Sequence, residues 1–354
     1  MSNPMRTLLV GLGARGKKWA RILQEEPSVE TIGYVDILDD NLEWAKSFDS
    51  AAEKSSYSSM EKALSELEPE FVVLVTPPVD RYKDVMTIFE HGSHLLSEKP
   101  LSLDLDEGLR MVQAAQEAKL GFAVGLNFRY QHCVTKARSI LKSGEIGKPG
   151  LVGYTYWRYR DAYTPGLNRF PITMRHPMLY EQTVHHLDEI RYVYDAEVER
   201  LYCRTSNPAW SQYSNNATAL VYLEMTDDIE VHYFGTWAGQ TKIKDHFYWR
   251  TDCDNGSLFQ FEFFSDLRIA RGNTSTEVEK IDLPYQERLI DDARVMLRNI
   301  VADLQQGNLS PQPTAIDHLR TFAVIAACEV SSERGETIAM KDFYDEHNVP
   351  QDWR

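Results

Sequence analysis

Over the first third of the chain, short apolar runs alternate with segments whose apolar residues recur at helical spacing. TLLVGL (7–12), ETIGYVD (30–36), FVVLVTPP (71–78), HLLSEKP (94–100) and FAVGLNFRY (122–130) read as strands. Between them KKWARILQEE (17–26), NLEWAKSF (41–48), SMEKALSEL (59–67), YKDVMTIFEHG (82–92) and LDEGLRMVQAAQEAKLG (105–121) read as helices. Continuous β-branched strands alternating with amphipathic helices predict a parallel sheet covered on both faces.

From about residue 150 the pattern changes. GLVGYTYWRYR (150–160), VERLYCRTS (198–206), ATALVYLEM (217–225), IEVHYFGTWAG (229–239), DHFYWRTD (245–252), SLFQFEFF (257–264) and DLRIARG (266–272) are aromatic and β-branched segments between turn signals. They predict a mainly antiparallel sheet with one solvated or partner-facing side. YQERLIDDARVMLRNIVADLQQG (285–307) and AIDHLRTFAVIAACEVSSERG (315–335) then read as helices that end at glycine. The expected fold is an α/β Rossmann domain over 1–125, followed by an α+β domain over 126–354 with an open, mainly antiparallel sheet. The helix at 314–332 is expected to pack back on the first domain.

Composition narrows the function classes. The chain has 354 residues and a formal net charge of −15. Nucleic-acid binding needs clustered Lys and Arg and is disfavoured. No run of ~18 apolar residues is present, so a membrane span is not expected. The N-terminal apolar run leads directly into a glycine turn, and the protein is therefore expected in the cytoplasm. The four cysteines, Cys133, Cys203, Cys253 and Cys328, form no C-x-x-C pair, so neither a zinc site nor a disulfide framework is expected and no metal is assigned.

The glycine turn carries the first chemistry. Gly11, Gly13 and Gly16 form G-x-G-x-x-G between a strand and a helix. The first permits the tight turn, the second lets a pyrophosphate approach the backbone, and the third allows close helix–strand packing. The helix N-terminus, with Ala14 and Arg15, presents amide donors to phosphate. Asp36 ends the second strand 20 residues beyond Gly16, where a carboxylate accepts hydrogen bonds from the adenosine ribose and repels a 2′-phosphate. NAD is the expected cofactor, in preference to NADP.

A substrate site is expected at the carboxyl ends of the strands, where VTPPVDRY (75–82), SEKPL (97–101) and GLNFRY (125–130) should meet. Thr76, Pro77, Glu98 and Lys99 are then expected beside the cofactor, and Asn127 and Arg129 beside the substrate. Most lysines are solvated surface groups; Lys99 stands out by its place at a strand end ahead of Pro100.

These residues resemble the Gfo/Idh/MocA family, the glucose–fructose oxidoreductase and inositol dehydrogenase group. The resemblance rests on VGLGARG (10–16), Asp36, VTPP (75–78), EKPL (98–101), EQTVHHLDEIR (181–191) and SSERG (331–335). It implies a substrate cleft between two domains and a homodimer or homotetramer formed through the C-terminal sheet. It also implies that Lys99 is the lysine of the E-K-P motif and that His185 is the catalytic histidine. Glu181 stands where the family has aspartate, and Thr183 where glycine is frequent. Asp188 matches an acid often found three residues after the histidine.

The chemistry supports these roles on its own terms. Oxidising a secondary alcohol removes a proton from oxygen while hydride leaves carbon. An imidazole, with an unperturbed pKa near ~6.5, suits the proton, and an ammonium favours the developing alkoxide. His185 is therefore expected to be the acid/base, Lys99 the alkoxide stabiliser, and Glu181 an orienter of substrate or histidine. Residues 181 and 185 share a face if the segment is helical. His186 is the rival of His185.

In YTYWRYRDAYTPGLNRFPITMRHPMLYEQ (154–182), Arg158, Arg160, Arg169 and Arg175 sit among aromatics. Such arginines commonly cover apolar surface and pair with carboxylates. The sharper expectation is that Arg158, Arg169 or Arg175 holds an acidic substrate group by bidentate hydrogen bonds. The expected function is NAD-dependent hydride transfer with a sugar, polyol, inositol or sugar acid. The alternatives are a glycoside-cleaving enzyme that oxidises transiently and a catalytically silent NAD-binding regulator.

Overall fold

The structure is a computed structural model that describes residues 3–167, 169–242 and 246–350. Its contacts divide the chain into two units: residues 1–127 with 287–320, and residues 128–286 with 321–354. The boundary read from the sequence lay at 125/126 and left all later residues in the second domain. Residues 287–320 instead return to the first unit.

The first unit holds β1 (Met5–Val10), α1 (Ala14–Glu25), β2 (Val29–Val35), α2 (Asp39–Phe48), β3 (Ser56–Tyr57), α3 (Met60–Leu67), β4 (Phe71–Leu74), α4 (Arg81–Glu90), β5 (His94–Ser97), α5 (Leu105–Ala118) and β6 (Phe122–Val124). The six strands are parallel, in the order β3-β2-β1-β4-β5-β6. This doubly wound order has its switch point between β1 and β4, where ligands bind at the strands' carboxyl ends. Every residue of β4 is buried, as the uninterrupted run of Phe71, Val72, Val73 and Leu74 requires of a central strand.

Three expected strands of this unit are shorter: those read over 71–78 and 94–100 end at Leu74 and Ser97. FAVGLNFRY pairs only over Phe122–Val124 and then turns into a 3₁₀ segment, Asn127–Tyr130. Its neighbour β5 ends at Ser97, opposite Val124, so no ladder remains to extend.

The second unit holds α6 (His132–Ser143), β7 (Pro149–Trp157), α7 (Phe170–Thr173), α8 (Val184–Tyr194), β8 (Val198–Ser206), β9 (Thr218–Met225), β10 (Ile229–Thr236), β11 (His246–Cys253), β12 (Gly256–Phe261), β13 (Asp266–Arg271) and β14 (Glu279–Ile281). Asp245, which opens the strand read at 245–252, lies outside the described residues. Next along the chain come α9 (Asp291–Gln305) in the first unit and α10 (Ala315–Arg334), within which the unit boundary falls. β15 (Ile338–Ala339) and α11 (Met340–Glu346) close the second unit.

The nine strands of that unit are ordered β14-β13-β12-β11-β7-β10-β9-β8-β15. All pairs are antiparallel except β7 with β10. Alternation sorts the faces. Val152, Tyr154 and Tyr156 of β7 are buried, whereas Leu151 and Trp157 are 48% and 51% exposed. On the exposed side Trp157 packs its ring 4.9 Å from Phe234. Among the described residues no helix is long and apolar enough to cross a membrane.

Candidate functional site

The glycine turn is built as its residues require. Gly11 has φ +93°, and a Cβ there would lie 2.9 Å from the Val75 carbonyl group. A Cβ at Gly16 would lie 2.0 Å from the Gly11 oxygen, so only glycine lets α1 start this close to β1. Gly13 is different: open space lies before it. It caps α1 without a side-chain hydrogen bond, and the first turn carries no acid. Free amides and the positive end of a 12-residue helix therefore face an open cradle, which fits a pyrophosphate.

Asp36 is buried at the end of β2. Its carboxylate accepts from Leu12 N (2.7 Å) and Leu38 N (2.9 Å), so both the glycine turn and the next loop fix its position. Beyond it Ile37 is 84% exposed.

Glu98 joins this turn to the lysine loop. Its Oε1 accepts from Arg15 Nε (2.6 Å) and Trp19 Nε1 (2.7 Å), both residues of α1. Arg15 also donates to the Leu289 carbonyl (2.9 Å). Burial alone would push the Glu98 carboxyl up, but the Arg15 charge and the bonds from Trp19 and Arg15 outweigh it and hold the group below its usual range. Glu98 was expected to touch cofactor; the structure shows it anchoring Arg15 and the start of E-K-P. Lys99 follows, half-buried, and Thr76 is half-buried with its hydroxyl 3.2 Å from Asp84. Pro77 is exposed.

Asn127 is buried and donates to Asp292 Oδ2 (2.8 Å), at the start of α9. Desolvation raises the Asp292 carboxyl despite that hydrogen bond. Asn127, expected beside the substrate, thus has a buried carboxylate partner within the first unit.

In the second unit, Glu181 lies in a π-helical turn, Met178–Thr183, that leads into α8. Such turns are rare and recur at functional sites. Glu181 is half-buried there, and His185, one step into α8, is 7% exposed. The His185 ring stacks on Phe128, with centroids 4.2 Å apart and planes 14° apart. Phe128 in turn meets Phe264 edge-on at 6.0 Å. The chain thus gives the imidazole an aromatic backing that sequence reasoning missed.

His186 is fully buried. Its Nδ1 lies 3.0 Å from the Tyr233 hydroxyl and its Nε2 lies 2.8 Å from Gln182 Nε2, between the rings of Tyr154 and Tyr156. This rival of His185 thus lies in the sheet-side core, with both ring nitrogens facing polar side chains.

The arginines divide similarly. Arg129 forms a buried bidentate pair with Asp188, Nε–Oδ2 2.7 Å and Nη2–Oδ1 2.5 Å, while Thr321 donates to the same carboxylate at 3.1 Å. Asp188 thus provides Arg129 with a buried bidentate partner. Arg175 pairs with Glu329 (2.7 Å) and with Glu333, both on α10. Arg160 donates to Tyr213 (2.7 Å) and lies 4.1 Å above the Trp237 ring. Arg158 is half-buried, 3.4 Å from the Tyr156 hydroxyl, and Arg169 is exposed. His176, Glu329 and Glu333 bring three possible cation ligands within 4.8 Å of one another, with the Arg175 guanidinium already paired to both carboxylates.

Comparison with known proteins agrees with this architecture. Residues 5–126 match the model described as oxidoreductase family, NAD-binding Rossmann fold. Residues 134–259 match the GFO/IDH/MocA C-terminal domain. The chain belongs to the Gfo/Idh/MocA family. It is an NAD-binding oxidoreductase of that family. An inositol 2-dehydrogenase of Rhodococcus jostii is 24% identical over 305 residues, spanning 81% of this chain and 79% of its own. A protein of Sinorhizobium fredii, y4oX, is 22% identical and spans 97% and 98%. An Agrobacterium radiobacter oxidoreductase, solved with NAD+, L-tartaric acid and magnesium, superposes with a TM-score of 0.85 at 17% identity, covering 96% of this chain and 99% of that one.

Proposed function

We propose that this oxidoreductase is a dehydrogenase acting on a secondary hydroxyl of a sugar, inositol or other polyol, or sugar acid, with Lys99 and His185 as its catalytic residues. One observation supports this most: Glu98, held by Arg15 and Trp19 of the helix that opens on the dinucleotide cradle, tethers the adjoining Lys99 to the cofactor side of the first unit. NAD supplies the hydride acceptor. The Lys99 ammonium holds the substrate oxygen as negative charge develops on it, and the His185 imidazole takes the hydroxyl proton. The Phe128 stack fixes the imidazole plane, and Glu181 orients the substrate or the histidine. Asp36 selects NAD over NADP, because its carboxylate favours a ribose diol and repels a phosphate. Arg158 and Arg169 are the residues proposed for an acidic substrate group. The half-exposed strand face bearing Leu151, Trp157, Phe234 and Leu220 is proposed to form a homo-oligomer interface.

Absorbance screening of NAD reduction with myo-inositol, D-glucose, D-gluconate and D-glucuronate tests the proposal. Net NADH formation with one of them, lost in Lys99→Ala and His185→Ala, is expected. NADH binding without turnover of any of them would instead favour a silent NAD-binding protein.

A further inference from the structure

Arg81 opens α4, directly after the turn that leaves β4, and is 1% exposed. A guanidinium withdrawn from water is costly unless acceptors meet its donors. Here it donates to three backbone carbonyls, those of Thr76, Glu98 and Pro100. The last two flank Lys99.

We infer that Arg81 is a positioning residue for Lys99: one guanidinium fixes the carbonyls on both sides of the lysine and so the direction in which its side chain leaves the chain. The inference rests on the role proposed above for Lys99. The neighbouring ties are made by other groups. Glu98 N donates to Leu74 O (2.9 Å), its carboxylate is held by Arg15 and Trp19, and Leu101 N donates to His318 Nε2 (3.3 Å). These secure the start of the tripeptide and the residue after it. Arg81 holds the peptide that leads into Lys99 and the one that leaves Pro100, and it ties both to the Thr76 carbonyl. Three carbonyls on two separate turns need a planar fork of donors; an ammonium at the end of a flexible stem cannot span them alike. A buried arginine in this place therefore converts loop backbone into a rigid root for a reacting side chain, where a displacement of about 1 Å costs about 100-fold in rate.

The test compares the full-length wild type with Arg81→Lys, Arg81→Ala and Lys99→Ala. Turnover is measured with NAD and myo-inositol or D-glucuronate, whichever is oxidised, and NADH affinity by tryptophan fluorescence. Arg81→Lys is expected to lose about 10- to 100-fold in kcat with NADH affinity within about twofold of wild type. Added guanidinium is expected to restore part of the activity of Arg81→Ala. Independently of turnover, the ¹³C-dimethyl-lysine resonance of Lys99 in the apo protein, assigned with Lys99→Arg, is expected to move in Arg81→Lys. An unmoved resonance, or a kcat within about twofold of wild type, overturns the inference. So does loss of NADH binding in both Arg81 variants, which assigns Arg81 to folding of the NAD-binding unit. An inactive Lys99→Ala beside a fully active Arg81→Lys overturns this inference alone. A fully active Lys99→Ala overturns the proposed function and this inference with it.

Discussion

Replacing Arg129 by Gln separates a structural arginine from a substrate-binding one. The Arg129 and Asp188 side chains are 6% and 2% exposed, and their two hydrogen bonds measure 2.7 and 2.5 Å. The Arg129 guanidinium also lies 5.1 Å from the Tyr192 ring centroid. The Arg129→Gln variant would leave the Asp188 carboxylate buried without its bidentate cation. Removing one partner of such a pair costs about 3–5 kcal/mol, mostly the penalty of the stranded charge. At about 2–4 °C per kcal/mol for a domain of this size, Arg129→Gln should lower Tm by roughly 6–20 °C in calorimetry. The double variant Arg129→Met/Asp188→Leu, which removes both charges, should recover most of that loss. An unchanged Tm in Arg129→Gln, with a raised KM for D-glucuronate, would refute the structural assignment and return Arg129 to the substrate.

Glu98→Gln should destabilise the NAD-binding unit at neutral pH. The folded carboxyl is held below its unfolded value, so its stabilisation is present above the unfolded pKa of about 4.3 and disappears as pH falls through the lower folded pKa. The Tm difference between Glu98→Gln and wild type should therefore narrow in acid; a constant difference would show that the carboxylate charge is not the stabilising feature. Asp36→Ser should weaken NAD binding by about 10- to 100-fold, the worth of a charge-assisted hydrogen bond to the ribose, and improve NADP binding. Titration of both cofactors checks this, and unchanged discrimination would count against Asp36 as the selector.

The Rossmann unit was legible because its local rules agree with its tertiary structure. Apolar runs, glycine turn and Asp36 are all short-range signals, and each lies where its pattern placed it. What was missed depends on distant partners. The helix expected over 285–307 begins only at Asp291, because Leu289 adopts φ +68° and a left-handed residue interrupts a right-handed helix. Three short strands, β3, β14 and β15, carry too few residues for a periodic signal. The helix α6 left a readable stripe, Cys133, Val134, Ala137 and Ile140, closed by Gly144, and went unassigned beside the aromatic strands. At the site, residue type alone could not show which arginines the protein pairs internally. Arg129 meets Asp188 and Arg175 meets Glu329 across long stretches of chain. Arg81 was invisible for the same reason: its acceptors are carbonyls, which carry no sequence signature.

The most direct measurement is single-turnover NADH formation by Lys99→Ala and His185→Ala, with NADH affinity measured on the same preparations. If the ammonium stabilises the developing alkoxide and the imidazole takes the proton, each variant should lose about 100-fold or more in the hydride-transfer rate while binding NADH as the wild type does. A wild-type rate in either variant would contradict the assignment of that residue to the chemistry.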